Sequence, residues 1–198
     1  CLCPAHIVAP QPPAVFRRSN MTLPNEVGMK FPMGGVKSIV ECYCMLDEAE
    51  AKTPEELCQR IKARIAKNVG PYITCSIGVG QNPLLAKMAC KLDKPDGVTI
   101  WHPMSRAERM APLPLSDVPG IGSRMELKLN RAGIFTMPDL LAMQPKHMRH
   151  MWKSVVGERM WYALHGYAIK ATPTNRGMYG HGPVRKPEWR GGTEAGRL

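Results

Sequence analysis

The sequence predicts an α/β (α+β) chain, with a small layer of about three strands and two helices followed by a small all-helical unit with a helix-hairpin-helix. Three observations carry that prediction. Apolar patterning alternates strand, helix, strand, helix, strand over residues 37–101. Residues 104–166 then read as helix throughout, punctuated by Pro112, Pro114, Pro119 and Pro145. Within them a tight turn, Pro119-Gly120-Ile121-Gly122, leads directly into a basic helical pattern.

Residues 1–35 are rich in Pro, Gly and Met, with Ala14 to Asn20 the one helical hint, and they offer no chemistry. Val36 to Leu46 reads as a strand that ends in two adjacent acids, Asp47 and Glu48. Thr53-Pro54-Glu55-Glu56 is a helix start: Thr53 caps, Pro54 takes the first helical position and Glu56 closes the box. Leu57, Cys58, Ile61 and Ile65 line one face of that helix, Arg60, Lys62, Arg64 and Lys67 the other, and Gly70-Pro71 breaks it. Tyr72 to Val79 is the next strand. Asn82-Pro83 opens a second helix with Leu84, Leu85, Met88, Ala89 and Leu92 inward. Lys94 to Gly97 is a turn, and Val98 to Trp101 a short strand.

In the helical half, Met125, Leu127, Leu129 and Ala132 supply apolar spacing, and Arg124, Lys128 and Arg131 sit between them. Gly133 ends this helix, and Thr136 caps the next with Asp139 three residues on. Two short helices joined by Gly-hydrophobe-Gly leave backbone N–H groups unpaired at the start of the second helix, a ready site for a phosphate. Glycine suits that turn because a Cβ holds a nucleic-acid strand away from the backbone. Gly120, Ile121 and Gly122 are thus the candidate phosphate turn, with Arg124 and Lys128 one helical turn apart to reach neighbouring phosphates. For Pro-Gly-Ile-Gly alone an ordinary αα-hairpin is as good a reading; the basic amphipathic helix and the Ala-Gly-Ile that follow favour DNA. Met148, Met151, Trp152, Val155, Val156, Met160, Trp161 and Leu164 are the expected filling of this second core. A linker follows Gly166, then one strand at 176–184 and a loose tail.

Composition narrows the function class. Apolar residues make up 44% of the 198, so the chain is not a disordered one. No apolar run reaches the ~18 residues of a membrane span, and the N-terminal residues show no signal peptide. Residues 113–198 carry 13 basic and 6 acidic side chains against 14 and 10 in residues 1–112, so the net charge of +11 is concentrated in the half that holds the hairpin. That distribution points to nucleic acid, although a merely soluble basic protein shares it. The seven cysteines show no zinc spacing, and the isolated ones fall on apolar faces; a reduced cytoplasmic protein is expected. The chain opens on Cys1 rather than methionine, from which a cut N-terminus is expected.

Three segments, CSIGVGQNPLLAKMACKLDKPDGVTIW, LPLSDVPGIGSRMELKLNRAGIFTMPDLL and SVVGERMWYALHGY, closely resemble the Y-family translesion DNA polymerases in their UmuC-like branch. The resemblance covers about residues 36–185. It implies an irregular remnant over 1–35, a partial palm over 36–103, a helical thumb with the helix-hairpin-helix over 104–168, and a linker with the first strand of the little finger over 169–198. It further implies error-prone, DNA-directed synthesis in damage tolerance, DNA repair and the SOS response, with two Mg²⁺ ions activating the primer hydroxyl and neutralising the triphosphate. Asp47-Glu48-Ala49 resembles the family's Ser-hydrophobe-Asp-Glu-Ala, which makes Asp47 and Glu48 candidate catalytic metal ligands. Lys94 matches the lysine that meets the incoming deoxynucleoside triphosphate, and Lys87 a second basic palm position. Asn175 to His181 resembles the opening of the little finger. DNA, deoxynucleoside triphosphates and, in full-length relatives, a sliding clamp are the implied partners.

The departures bear on catalysis. Met45 stands where the motif has serine, one extra residue separates Glu41 from Asp47, and no aspartate precedes Asp47. Neighbouring residues of a strand face opposite ways, so a one-residue insertion turns the wrong carboxylate inward. Nothing corresponds to the fingers, and the little finger has few residues left. The expectation is a fragment or decayed copy with an incomplete active site. A non-catalytic module that binds DNA backbones is the alternative; a helix-hairpin-helix glycosylase is a weaker one, because no aspartate follows Asp139.

Overall fold

A computed structural model describes residues 41–169 in full and the backbone of residues 6–10 and 33–38. The first half forms a sheet of five strands rather than about three: β1 (His6–Pro10), β2 (Met33–Ser38), β3 (Glu41–Met45), β4 (Ile77–Gly80) and β5 (Val98–Ile100), in the order β2-β3-β1-β4-β5. β1 is the centre. It runs antiparallel to β3, with His6 opposite Met45 and Pro10 opposite Glu41, and antiparallel to β4, with His6 opposite Gly80. β4 and β5 are parallel, so their connection crosses over, and a helix makes that crossing.

Three strand expectations are corrected here. Residues 6–10, read as irregular, are the middle strand of the sheet. Val36 to Leu46 is not one strand: β2 stops at Ser38, β3 starts at Glu41, and the two pair antiparallel with two register shifts. The next strand also begins later than expected, at Ile77. Every residue of β4 is buried, whereas Tyr72 is 95% exposed and has no sheet to join.

The first helix, α1 (Pro54–Asn68), buries Leu57, Cys58, Ile61 and Ile65, the face that its spacing predicts. Thr53 makes no side-chain cap, however. It closes the one-turn 3-10 helix Glu50–Lys52 and hands the chain on through its carbonyl, which accepts from the Leu57 amide at 3.2 Å. The second helix, α2 (Pro83–Leu92), starts as expected, with the Asn82 side-chain oxygen accepting from the Leu85 amide at 3.0 Å. It lies hard against the sheet because β4 carries glycine: a Cβ on Gly78 would sit 2.0 Å from the Ala86 carbonyl oxygen. Ala86 and Cys90 face that contact, while Leu85, Met88 and Ala89 enter a second core with Trp101, Met110, Leu115, Leu129 and Met148. Leu92, expected inward, is 44% exposed, since the helix ends before its next turn reaches either core.

Residues 103–167 form the helical half: α3 (Arg106–Met110), α4 (Ser123–Arg131), α5 (Met137–Ala142), α6 (Pro145–Trp152) and α7 (Val155–Leu164). Gly133, at φ +81°, ends α4, and Thr136 with Asp139 forms the expected reciprocal cap on α5. Met148, Met160 and Leu164 are buried in the second core, whereas Val155 and Val156 lie exposed in the first turn of α7 and Leu127 points outward from α4. Cys42, Cys44, Cys58, Cys75 and Cys90 are buried free thiols, and burial pushes those of Cys44, Cys58 and Cys90 up to about 12. The helical hint at 14–20, the strand expected at 176–184 and the tail lie outside the described residues.

Candidate functional site

The hairpin is built from a buried pair and an open turn. Before it stands not a full helix but one 3-10 turn, Leu115–Asp117, which buries Leu115; Val118 and Ile121 are 1% and 3% exposed and anchor the turn in the second core. The Ile121 amide donates to the Val118 carbonyl at 2.9 Å, closing the turn. Gly120 sits at φ +100°, a backbone conformation that calls for glycine. Gly122 is different. Its φ is −91°, and nothing lies within 4 Å of where a Cβ would be, so neither strain nor packing demands glycine there. It is the N-cap of α4, where a Ser, Asp or Asn side chain would stabilise the helix over glycine by roughly a few tenths of a kcal/mol. The result is a bare helix start whose leading amides lack intrahelical partners. Arg124 is exposed beside it, whereas the Lys128 ammonium turns back to donate to the Met151 carbonyl, tying α4 to α6.

The other wall of this turn faces α2. Glu41, Lys87, Cys90, Lys91, Lys94, Ser116, Asp117, Pro119 and Gly120 enclose a cleft of about 400 Å³ between the sheet half and the helical half. It holds three lysines. Lys87 pairs with Glu41 at 2.6 Å and Lys91 with Asp117. Lys94 has no hydrogen-bonding or ion-pair partner among the described residues and is the free cation of the cleft. The structure therefore brings Lys87, Lys94 and Gly120 to one place.

Asp47 and Glu48 are elsewhere. Glu41, at the cleft, and Met45 are the two ends of β3, roughly 13 Å apart along an extended strand, and the acids lie beyond the far end. Both are exposed. Asp47 Oδ1 accepts from the Glu50 amide at 2.8 Å, and Glu50 Oε2 accepts from the Asp47 amide at 3.1 Å, so this carboxylate caps its own turn.

Comparison with known proteins gives this arrangement its kinship. Residues 1–91 match the family described as impB/mucB/samB, and residues 103–134 the IMS family HHH motif. A DNA polymerase IV of Moorella thermoacetica is 43% identical over 88 residues, covering 44% of this chain and 22% of that protein. A DNA polymerase IV of Clostridium acetobutylicum is 28% identical over 165 residues, 83% of this chain and 41% of the relative. Over these residues the chain is similar to the Y-family of DNA polymerases. The chain spans less than half the length of these curated relatives. In structure, the insertion ternary complex of Dbh DNA polymerase superposes with a TM-score of 0.68 at 23% identity, over 79% of this chain and 46% of that one, which shows the fold.

Y-family polymerases generally use divalent metal ions, and the acids of this chain can be weighed against that need. Carboxylates are the right donors for Mg²⁺. Two ions held side by side need bridging carboxylates grouped around them. Among the described residues no group of three His, Cys, Asp or Glu side chains is placed to hold an ion. Asp47 and Glu48 by themselves do not make up such a group.

The cleft partners were not legible beforehand. Glu41 and Lys87 are 46 residues apart, and Asp117 reads in sequence as one more loop acid. Spacing does not reveal Arg106 either, nor the second role of Asn82. Arg106 donates to Gln81 at 3.0 Å and to the His165 carbonyl at 2.6 Å, and Asn82 donates to the Ala163 and Tyr167 carbonyls, so together they tie the end of α7 to the start of α2.

Proposed function

We propose that the chain is the palm-and-thumb portion of a translesion polymerase of the Y-family and that it grips primer-template DNA by its backbone, without regard to sequence. The carrying observation is Gly122: a glycine that the fold does not need, at a bare helix start, beside the exposed Arg124. A phosphate approaching those amides supplies the missing reason. Lys94, the free cation of the cleft, is the group assigned to a deoxynucleoside triphosphate, with Lys87 as a paired neighbour. Of the branches, the DinB-like one is favoured over the UmuC-like one, because the relatives carry polymerase IV names. Roles in DNA repair and the SOS response, a clamp partner, Mg²⁺ dependence of the whole enzyme and a cytoplasmic setting belong to the same reading. The free, buried thiols suit a reducing compartment, and no described helix is long and apolar enough to cross a membrane.

The test is a salt titration of binding to a primer-template duplex. Two phosphate contacts, at the turn and at Arg124, predict a loss of about twelve-fold between 50 and 200 mM salt. Affinity that ignores salt, or follows base sequence, removes the backbone grip. The non-catalytic DNA-binding module remains the second reading, and the arrangement of Asp47 with Glu50 is the observation that keeps it in play.

A further inference from the structure

The turn that carries Lys94 is held from the opposite side of the sheet. α1 packs its apolar face in the core formed by Leu46, Ile77 and Val79, whereas α2 and the lysine cleft lie on the other side of β4. From α1, the Lys62 side chain reaches the turn at 94–97. Its ammonium lies 2.7 Å from Asp96 Oδ1 and also donates to the Asp96 carbonyl. Lys62 is only 19% exposed there, so its reach is largely enclosed by the protein. Asp96 stands at φ +67°, a left-handed conformation that aspartate tolerates but does not favour. Two backbone bonds complete the arrangement, Gly97 amide to Asp93 carbonyl at 3.1 Å and Ile77 amide to Gly97 carbonyl at 2.9 Å.

We propose that Lys62 is a positioning residue: through Asp96 it fixes the turn so that Lys94 stands in the cleft, preorganised for a polyphosphate. The inference rests on the reading of Lys94 as the triphosphate-binding group. A long lysine side chain on an unbraced turn loses more freedom on binding an anion than one whose backbone is already fixed. Lys62 touches no substrate in this scheme; it acts through Asp96.

Two substitutions separate bracing from plain electrostatics. Lys62→Met removes a positive charge and Asp96→Asn a negative one, so simple charge effects on anion affinity run in opposite directions. Asparagine also keeps a tolerance for the left-handed backbone, so the turn retains its conformational option. The brace predicts that both weaken binding. The measurement is calorimetric titration of the full chain with inorganic tripolyphosphate and with a deoxynucleoside triphosphate, alongside hydrogen exchange at the Gly97 amide. Expected are a three- to five-fold weaker affinity in both variants, near-complete rescue in Lys62→Arg, a loss of at least ten-fold in Lys94→Ala, and faster Gly97 exchange in Lys62→Met with the α1 amides unchanged. Asp96→Asn binding as tightly as the unaltered chain, or more tightly, overturns the brace. So does unchanged Gly97 exchange in Lys62→Met, whatever the anion does. If Lys94→Ala binds normally, or the unaltered chain binds neither anion, the assignment of Lys94 falls and the positioning role with it; unchanged binding in Lys62→Met and Asp96→Asn beside a damaged Lys94→Ala removes the positioning role alone.

Discussion

The hairpin at 118–124 and the acid turn at 47–50 are both short turns that reach the surface, yet they spend their hydrogen-bonding groups in opposite ways. At the acid turn, side chain and backbone answer each other: Asp47 takes the Glu50 amide and Glu50 takes the Asp47 amide. At the hairpin, Gly122 supplies no side chain to α4, and the leading amides stay open. A turn that satisfies itself is complete without a ligand, and one that does not is ready for one. On the proposed reading, the contrast separates the part of the chain that would meet DNA from the part where catalytic chemistry would have to be rebuilt.

The largest expected effect concerns chemistry. In Mg²⁺ and deoxynucleotides the chain should extend no primer, because two-metal catalysis needs carboxylates grouped to within tenths of an ångström and Asp47 is engaged in its own turn. A gel-based extension assay run with Asp47→Ala and Lys94→Ala checks this. Product from the unaltered chain that vanishes in both variants would show that the acids rearrange into a working centre.

Next in size is Gly122→Asp. It should weaken DNA binding about ten-fold by setting a carboxylate where the phosphate approaches, while the melting temperature holds or rises slightly, since aspartate exceeds glycine as an N-cap by roughly a few tenths of a kcal/mol. Gly120→Ala differs in sign for stability: at φ +100° it should cost about 1 kcal/mol as well as weakening binding. If Gly122→Asp binds DNA as before, the open turn has no partner there.

Smaller still is the acid turn itself. Asp47→Ala should destabilise by about 1 kcal/mol or less, and the double change with Glu50→Ala by little more, because the two make one reciprocal unit. DNA affinity should not move; chemical denaturation with parallel binding curves reads both.

The smallest effect is an acid one. Hydrogen bonds from the Thr136 side chain and the Thr136 and Phe135 backbone amides hold the Asp139 carboxyl below the usual carboxylate range. A carboxylate so depressed stabilises the fold above its unfolded pKa, and that contribution is lost as pH falls through the lower folded value. The start of α5 should therefore fray on acidification below about pH 4, with the protection of the Asp139 and Leu140 amides against hydrogen exchange falling first. Asp139→Asn should remove the pH dependence of that protection.

Much of the fold was legible because helix signals are local. The Asn82 cap, the Thr136–Asp139 box, Gly133 and the buried stripe of α1 all follow from residues within one or two turns of each other. Strand identity depends on partners far away, and there the reading failed. The five residues His6–Pro10 sit in a proline-rich setting and become a central strand only because β3 and β4 pair with them from both sides. Thr53 shows the limit of even a good local signal: the preceding 3-10 turn fixes its backbone, and the predicted box does not close. In the site, Gly120 and Gly122 stood out by their spacing together with the basic helix and the Ala-Gly-Ile that follow. The cleft did not, since Glu41, Lys87 and Asp117 meet only after the sheet, α2 and the hairpin have packed. Nor did the inward turn of Lys128, which spacing places on the same stripe as Arg124.

α2 has a mechanical consequence. Its Ala86–Cys90 side is seated on the sheet while Leu85, Met88 and Ala89 share a core with Leu115, Leu129 and Met148, and Asn82 ahead of it holds the end of α7. A helix buried on both sides leaves no seam along which the two halves can swing or melt apart. Heat should therefore take down sheet and helices in one cooperative step.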